Sequence, residues 1–189
     1  MFRFLLVAIL LVFATPGVAQ DTTLAGVSLD QSLNVDGVEL ALNGAGIRKK
    51  LFFKLYVGSL YVDNTLKGAD GNAIVQADSP MLIQLNILSD LLTRDKLIDA
   101  LNEGFDKSTG GNTAPVQSEI TTMIEALNVA IKPGHVYRIA YSPQTGTRVI
   151  TGEETLATID GLAFKQALFG IWLSEAPAQK SLKQAMLAQ

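Results

Sequence analysis

Arg48 and Tyr56 are the residues whose types and spacing most clearly offer chemistry, and they lie in the stretch Leu42 to Val62, LNGAGIRKKLFFKLYVGSLYV. A guanidinium presents a forked set of N–H donors that matches a carboxylate, and a phenol adds a directional hydroxyl at the apolar edge of a pocket. Residues of equal parity share one face of a strand, so the two side chains would point the same way and could grip an anion together, unless a bulge or turn intervenes. In the opposing reading Arg48 is a solvated charge at a strand end and Tyr56 is ordinary core; the residues alone leave the two readings level. Lys50 and Lys54 share the same parity, so three cations would line that face unless a turn near Lys49 breaks the alternation.

Other constellations are poorer. His135, the only histidine, follows Pro133-Gly134 and reads as a turn residue at a strand start, with no second ligand that would make a metal site. Glu153-Glu154 reads as a pair of solvated loop charges, and neither Ser142 nor Ser174 has a His-Asp arrangement around it. Gly44-x-Gly46 precedes a strand, not a helix, so a dinucleotide-binding reading fails on context. The chain has no cysteine, which excludes disulfides, thiolate nucleophiles and Cys-based metal centres. No metal or cofactor is expected.

The elements that must position Arg48 and Tyr56 follow from periodicity. Val27 to Leu42 predicts two short strands joined by a tight turn at Asp36-Gly37. Gly44 and Gly46 allow a bulge or left-handed turn. A long strand is predicted over Leu51 to Val62, which places Arg48 where a sheet begins. Met81 to Leu88 predicts a further strand with Ile83, Leu85 and Ile87 on one face, after connectors at Asp63-Asn64 and Gly68 to Gly71. Thr93 caps a helix carrying Leu97, Ala100, Leu101 and Phe105 and ending at Gly110-Gly111. A second helix runs from Ser118 to Ala130, strands cover Val136 to Tyr141 and Arg148 to Thr151, and Gly161 to Leu173 and Ala178 to Leu187 close the chain as helices. Strands and helices in separate blocks argue for an α+β protein with helices layered on one face of a largely antiparallel sheet. Trp172 reads as core or pocket wall.

Residues 1–19 read as a secretory signal peptide: Arg3 gives a basic start, Leu5 to Ala14 an apolar run too short for a membrane span, and Pro16-Gly17-Val18-Ala19 the small residues of a cleavage site. The expectation is a periplasmic or secreted protein, not membrane-spanning after cleavage, with residues 20–189 forming one domain. The net charge of −3 becomes −4 once Arg3 is removed, so nucleic acid is not expected as a partner. The oligomeric state is not legible.

The motif GAGIR followed by FKLYVGSLYV resembles the chalcone isomerase superfamily, in particular its bacterial chalcone-isomerase-like members. Pro133 to Thr147 (PGHVYRIAYSPQTGT) is similar to the family's strand, turn and strand, and Phe164 to Leu173 (FKQALFGIWL) to its helix ending at a small-residue turn. The resemblance covers nearly all of the chain beyond the leader and implies an open-faced β-sandwich, a large antiparallel sheet with helices on one face. It also implies, for the enzymes, an arginine, a threonine, a tyrosine, a lysine and an asparagine around the substrate. Arg48 matches the arginine and Lys96 the lysine; Tyr56 stands at the threonine position, Thr93 at that of the tyrosine and Ala100 at that of the asparagine. Losing preorganised donors from an oxyanion-binding site costs orders of magnitude in rate.

Non-catalytic members of the superfamily bind fatty acids, an arginine and a tyrosine holding the carboxylate, and Arg48 and Tyr56 resemble that pair. The leading expectation is therefore an exported, non-catalytic protein binding a fatty acid or similar amphipathic carboxylate through Arg48, Tyr56, Lys96 and Thr93. Two alternatives remain. Arg48, Tyr56 and Lys96 could serve an intramolecular lyase or isomerase acting on an enone or enolate, or the basic cluster Arg48-Lys49-Lys50-Lys54 could dock an acidic partner or anionic lipid surface without a small ligand.

Overall fold

The structure, a computed structural model, describes residues 22–189. The signal-peptide reading of residues 1–19 lies outside the described residues. Nine strands and five α-helices occur among the described residues. A small ribbon of β1 (Thr22–Leu24) and β2 (Val27–Leu29) precedes a seven-stranded antiparallel sheet in sequential order: β3 (Ser32–Val35), β4 (Val38–Lys50), β5 (Phe53–Val62), β6 (Met81–Ile87), β7 (Val136–Ser142), β8 (Gly146–Thr151) and β9 (Glu154–Ile159). The helices are α1 (Gly71–Gln76), α2 (Arg94–Ser108), α3 (Gln117–Ala126), α4 (Leu162–Leu173) and α5 (Lys180–Met186).

Alternation decides which face of the sheet each residue serves. Ile83, Leu85 and Ile87 of β6 and Tyr137, Ile139 and Tyr141 of β7 join the main core under the helices, as the period of two requires. The helix α4 is apolar almost all round and buried along nearly its whole length, so it takes the centre of the helical layer between α1, α2 and the sheet. Leu82 and Ala140 point the other way and, with Val35, Leu40 and Tyr61, form a second small core. The sheet curls to cover that face: β3 reaches β7, and Asp36 in the β3–β4 turn accepts hydrogen bonds from Arg148 and Thr145, both at 2.7 Å. The α+β fold with helices on one face of a large antiparallel sheet is the one the sequence predicts.

The Asp36-Gly37 turn also forms as predicted, with positive φ at both residues. The predicted start of the next strand needs correction. Arg48 does not begin a sheet; it sits near the end of the long strand β4, and Leu51-Phe52 is the hairpin turn into β5. A bulge does occur beside Gly44, with Asn43 the extra residue between Leu42 and Gly44. The buried Asn43 amide donates to the Met186 carbonyl at 2.8 Å, and its oxygen accepts from the Gly68 N–H. Neither Gly44 nor Gly46 has positive φ. Their bare Cα atoms instead give α5 room, since a Cβ on Gly44 would stand 2.3 Å from the Ala185 carbonyl oxygen and one on Gly46 2.7 Å from the Ala185 Cβ. The sequence reading does not predict β1, α1 or β9. Residues after Gly71 form α1 where a connector was expected, and Glu154, taken as a loop charge, opens the edge strand β9.

Candidate ligand-binding site

Arg48 and Tyr56 come together across two strands, not along one. In the β4–β5 pairing Arg48 stands directly opposite Tyr56, and the next pair is Lys49 with Lys54, which leaves Leu55 as an extra residue on β5. Strict alternation would send Leu55 and Tyr56 to opposite faces; with the bulge, both line the same cavity. That cavity, about 450 Å³, lies between the ends of β4, β5 and β6, the inner face of α2 and the last turn of α4, and its size is that of a small-molecule site. Arg48, Tyr56 and Lys96 all line it, with apolar walls from Leu85, Leu97, Leu101 and Ile171 among others. Lys50 also borders it and Lys54 does not, so the hairpin breaks the expected row of three cations.

The hydrogen-bond geometry leaves particular donors free. Trp172 Nε1–H donates to the Tyr56 hydroxyl oxygen at 3.0 Å, and the Tyr56 O–H itself has no acceptor among the described residues. Burial pushes the Tyr56 phenol above its ordinary value, the Trp172 N–H and the Arg48 guanidinium pulling the other way, so at neutral pH it is a neutral donor. Arg48 commits only Nη1, which donates to the Lys49 carbonyl and to Gln179 Oε1, both at 3.1 Å. Its Nε and Nη2 make no hydrogen bond within 3.5 Å among the described residues, and the guanidinium lies beside the Tyr56 hydroxyl, whose ionised form it favours. Gln179, in the connector ahead of α5, also accepts from the Lys49 N–H at 2.9 Å and donates to the Ile47 carbonyl at 3.1 Å, clasping the strand on both sides of Arg48.

The remaining predicted residues divide. Lys96 borders the cavity from an exposed position, and its Nζ donates to the Leu91 carbonyl at 3.0 Å, closing the loop ahead of α2. Thr93 does not line the cavity. Its hydroxyl accepts from the Lys96 N–H and caps α2, so its role is structural. Ala100 lines the cavity with a methyl group, at the position where the resemblance implied an asparagine in the enzymes. Gln179 escaped the sequence reading, and no local signal could have found it, because it meets Arg48 from 131 residues away. The Trp172 contact with Tyr56 was likewise invisible, although the residue itself was read as a wall.

A curled antiparallel sheet with a helical layer, and a cleft between the two, defines the chain as an α+β protein of the chalcone-isomerase fold. The chain belongs to the chalcone isomerase-like family, whose model matches residues 21–188. Among solved structures it is similar to the crystal structure of a fatty-acid binding protein from Arabidopsis thaliana, with a TM-score of 0.66 and 15% identity over 86% of this chain and 92% of that one. A search of curated proteins gives no match.

Proposed function

We propose that this chain is an exported, non-catalytic chalcone-isomerase-like protein that binds a fatty acid or similar amphipathic carboxylate, the headgroup on Arg48 and Tyr56 and the tail along the apolar walls of the cleft. The observation that carries the reading is the set of uncommitted donors, the Tyr56 O–H and the Arg48 Nε and Nη2, gathered at one cavity that is otherwise largely apolar. A carboxylate there would recover much of its desolvation cost from charge-assisted hydrogen bonds. Lys96 adds positive potential at the rim. Thr93 supports the site only through the cap of α2, and the methyl group of Ala100 removes a donor that cyclisation chemistry would use. The signal-peptide pattern of residues 1–19 and the similarity to a plant fatty-acid binding protein support the same reading.

Native mass spectrometry of protein purified without detergent, followed by extraction and identification of the retained molecule, tests it. Co-purified fatty acid in the wild type and its loss in Arg48→Ala are expected. A folded wild type that neither retains nor takes up added fatty acid would defeat the reading.

A further inference from the structure

The large apolar side chains that stand exposed among the described residues are four, and they cluster: Leu51 at 83%, Phe52 at 96%, Phe53 at 55% and Leu91 at 40%. Three of them are consecutive at the tip of the β4–β5 hairpin, and Leu51, Phe53 and Leu91 also border the cavity, so the apolar tip continues into its mouth. Leu51 holds φ at +55°, a left-handed turn position that glycine or asparagine ordinarily takes and that a leucine occupies at a conformational cost. Water solvates none of these side chains well, and nothing in the fold covers them.

Cations ring the tip. Lys49 stands opposite Lys54 across the hairpin and Lys50 opposite Phe53, so three lysines occupy the strand ends directly behind the apolar tip. Arg48, Lys50, Lys96 and Lys107 border the cavity against Asp99 and Glu103, and Glu103 is itself ion-paired with Lys107. Asp90, beside Leu91, and Asp95, beside Lys96, are the other carboxylates nearby in sequence, and Asp95 lies 3.8 Å from the Arg94 guanidinium. This local excess of positive charge occurs in a chain whose net charge is −3. Apolar groups leading and amines one step behind match the layering of an anionic bilayer, acyl chains inside and phosphates outside.

We propose that the Leu51–Phe53 tip is a membrane-docking finger that seats the mouth of the cavity on an anionic bilayer surface, from which the amphipathic carboxylate is loaded or to which it is delivered. The exchange step rests on the carboxylate-binding reading; the docking step does not. A ligand whose tail dissolves in lipid would then pass along Leu51, Phe53 and Leu91 without crossing water.

The test is co-sedimentation of the purified protein with phosphatidylcholine vesicles and with vesicles of phosphatidylcholine and phosphatidylglycerol. Phe52→Ser and the charge reversal Lys49→Glu with Lys54→Glu are run beside the wild type, because none of these residues borders the cavity. The wild type is expected to sediment with the anionic vesicles only, and less as salt is raised. Phe52→Ser should weaken partitioning roughly tenfold or more, and each lost lysine roughly fivefold. Fatty-acid affinity in vesicle-free solution should stay unchanged in Phe52→Ser, whose side chain touches neither the cavity nor the Arg48 clasp. A Phe52→Trp variant should show blue-shifted emission on adding anionic vesicles. A wild type that ignores anionic vesicles, or tip variants that sediment like it, would overturn the finger. So would a dimer that Phe52→Ser dissociates in the absence of vesicle binding, which would assign the tip to a second copy of the chain. Protein that docks but takes up no fatty acid would sink the carboxylate reading and leave the docking finger standing; protein that binds fatty acid but does not dock would do the reverse.

Discussion

The Tyr56 hydroxyl is engaged on one side only: its oxygen accepts from Trp172, and its hydrogen has no acceptor among the described residues, which leaves it for the proposed ligand. The two roles separate by mutation. Tyr56→Phe removes the ligand's hydrogen bond and also leaves the buried Trp172 N–H without an acceptor. We expect roughly ten- to a hundredfold weaker fatty-acid binding, the equivalent of about 1.5–3 kcal/mol for a hydrogen bond to a charged group, together with a loss of fold stability of about 1–3 kcal/mol for the orphaned donor. Trp172→Phe breaks the same internal bond but keeps the phenol, so its affinity should fall less than that of Tyr56→Phe. Titration with a fluorescent fatty acid and urea unfolding of both variants read the two quantities; equal affinity losses would show that Tyr56 acts only by packing. Arg48 was legible in the sequence because a forked cation beside a glycine-bearing strand has a chemistry of its own. Gln179 was not, because a glutamine ahead of a helix carries no local sign that it will clasp a strand far away in the chain.

At the scale of elements, two close approaches are decided by particular residues. The α5 helix lies against β4 because Gly44 and Gly46 have no side chains there, and Gly44 makes the closer approach. Gly44→Ala drives a methyl into the Ala185 carbonyl, and we expect a loss of roughly 1–3 kcal/mol by overpacking, with faster hydrogen exchange in α5 than in the wild type. Undiminished protection of α5 would show that the helix can shift at no cost. Lys165 is the other case. It is fully buried, and its ammonium donates to the carbonyls of Ile74, Val75 and Ala77 at 2.7–2.9 Å, capping the C-terminal end of α1. Lys165→Met strands those carbonyls and should cost roughly 1–3 kcal/mol. Burial lowers the Lys165 ammonium from 10.5 to about 8, with Asp78 pulling the other way. The folded chain therefore binds fewer protons than the unfolded one between about pH 8 and 10.5, and this group's contribution to stability rises with pH through that window. Unfolding free energies of wild type and Lys165→Met, compared near both ends of the window, should diverge in favour of the wild type. α1 was missed because a helix this short has too few turns to show a period.

For the whole molecule, we propose from the leader pattern and the docking tip that the protein works at a membrane surface after export. We expect the exported form to begin at Gln20, which intact-mass measurement of the secreted or periplasmic fraction reads directly; a protein retaining Met1 in the cytoplasm would reverse that expectation. No helix among the described residues is long and apolar enough to cross a membrane. The tip itself was visible in the sequence only as a run of apolar and basic residues inside a predicted strand. Leu51 and Phe52 were read as the start of a strand because their types favour one, and the turn that exposes them has none of the glycine or asparagine that announces a turn.

What the sequence determined by itself is whatever depends on near neighbours. Alternation selected the face of β6, helical spacing selected α2 and α3, Asp36-Gly37 selected a hairpin turn, and blocks of strands and helices selected an α+β layer structure. These follow from backbone geometry and solvent preference over a few residues. The tertiary structure alone decided that Arg48 and Tyr56 face each other across two strands, that a bulge at Leu55 turns Tyr56 into the cleft, and that Trp172 and Gln179 hold the pair in place. Register, bulges and contacts between distant segments are settled by the packing of whole layers, in which each residue's position depends on residues a hundred or more places away.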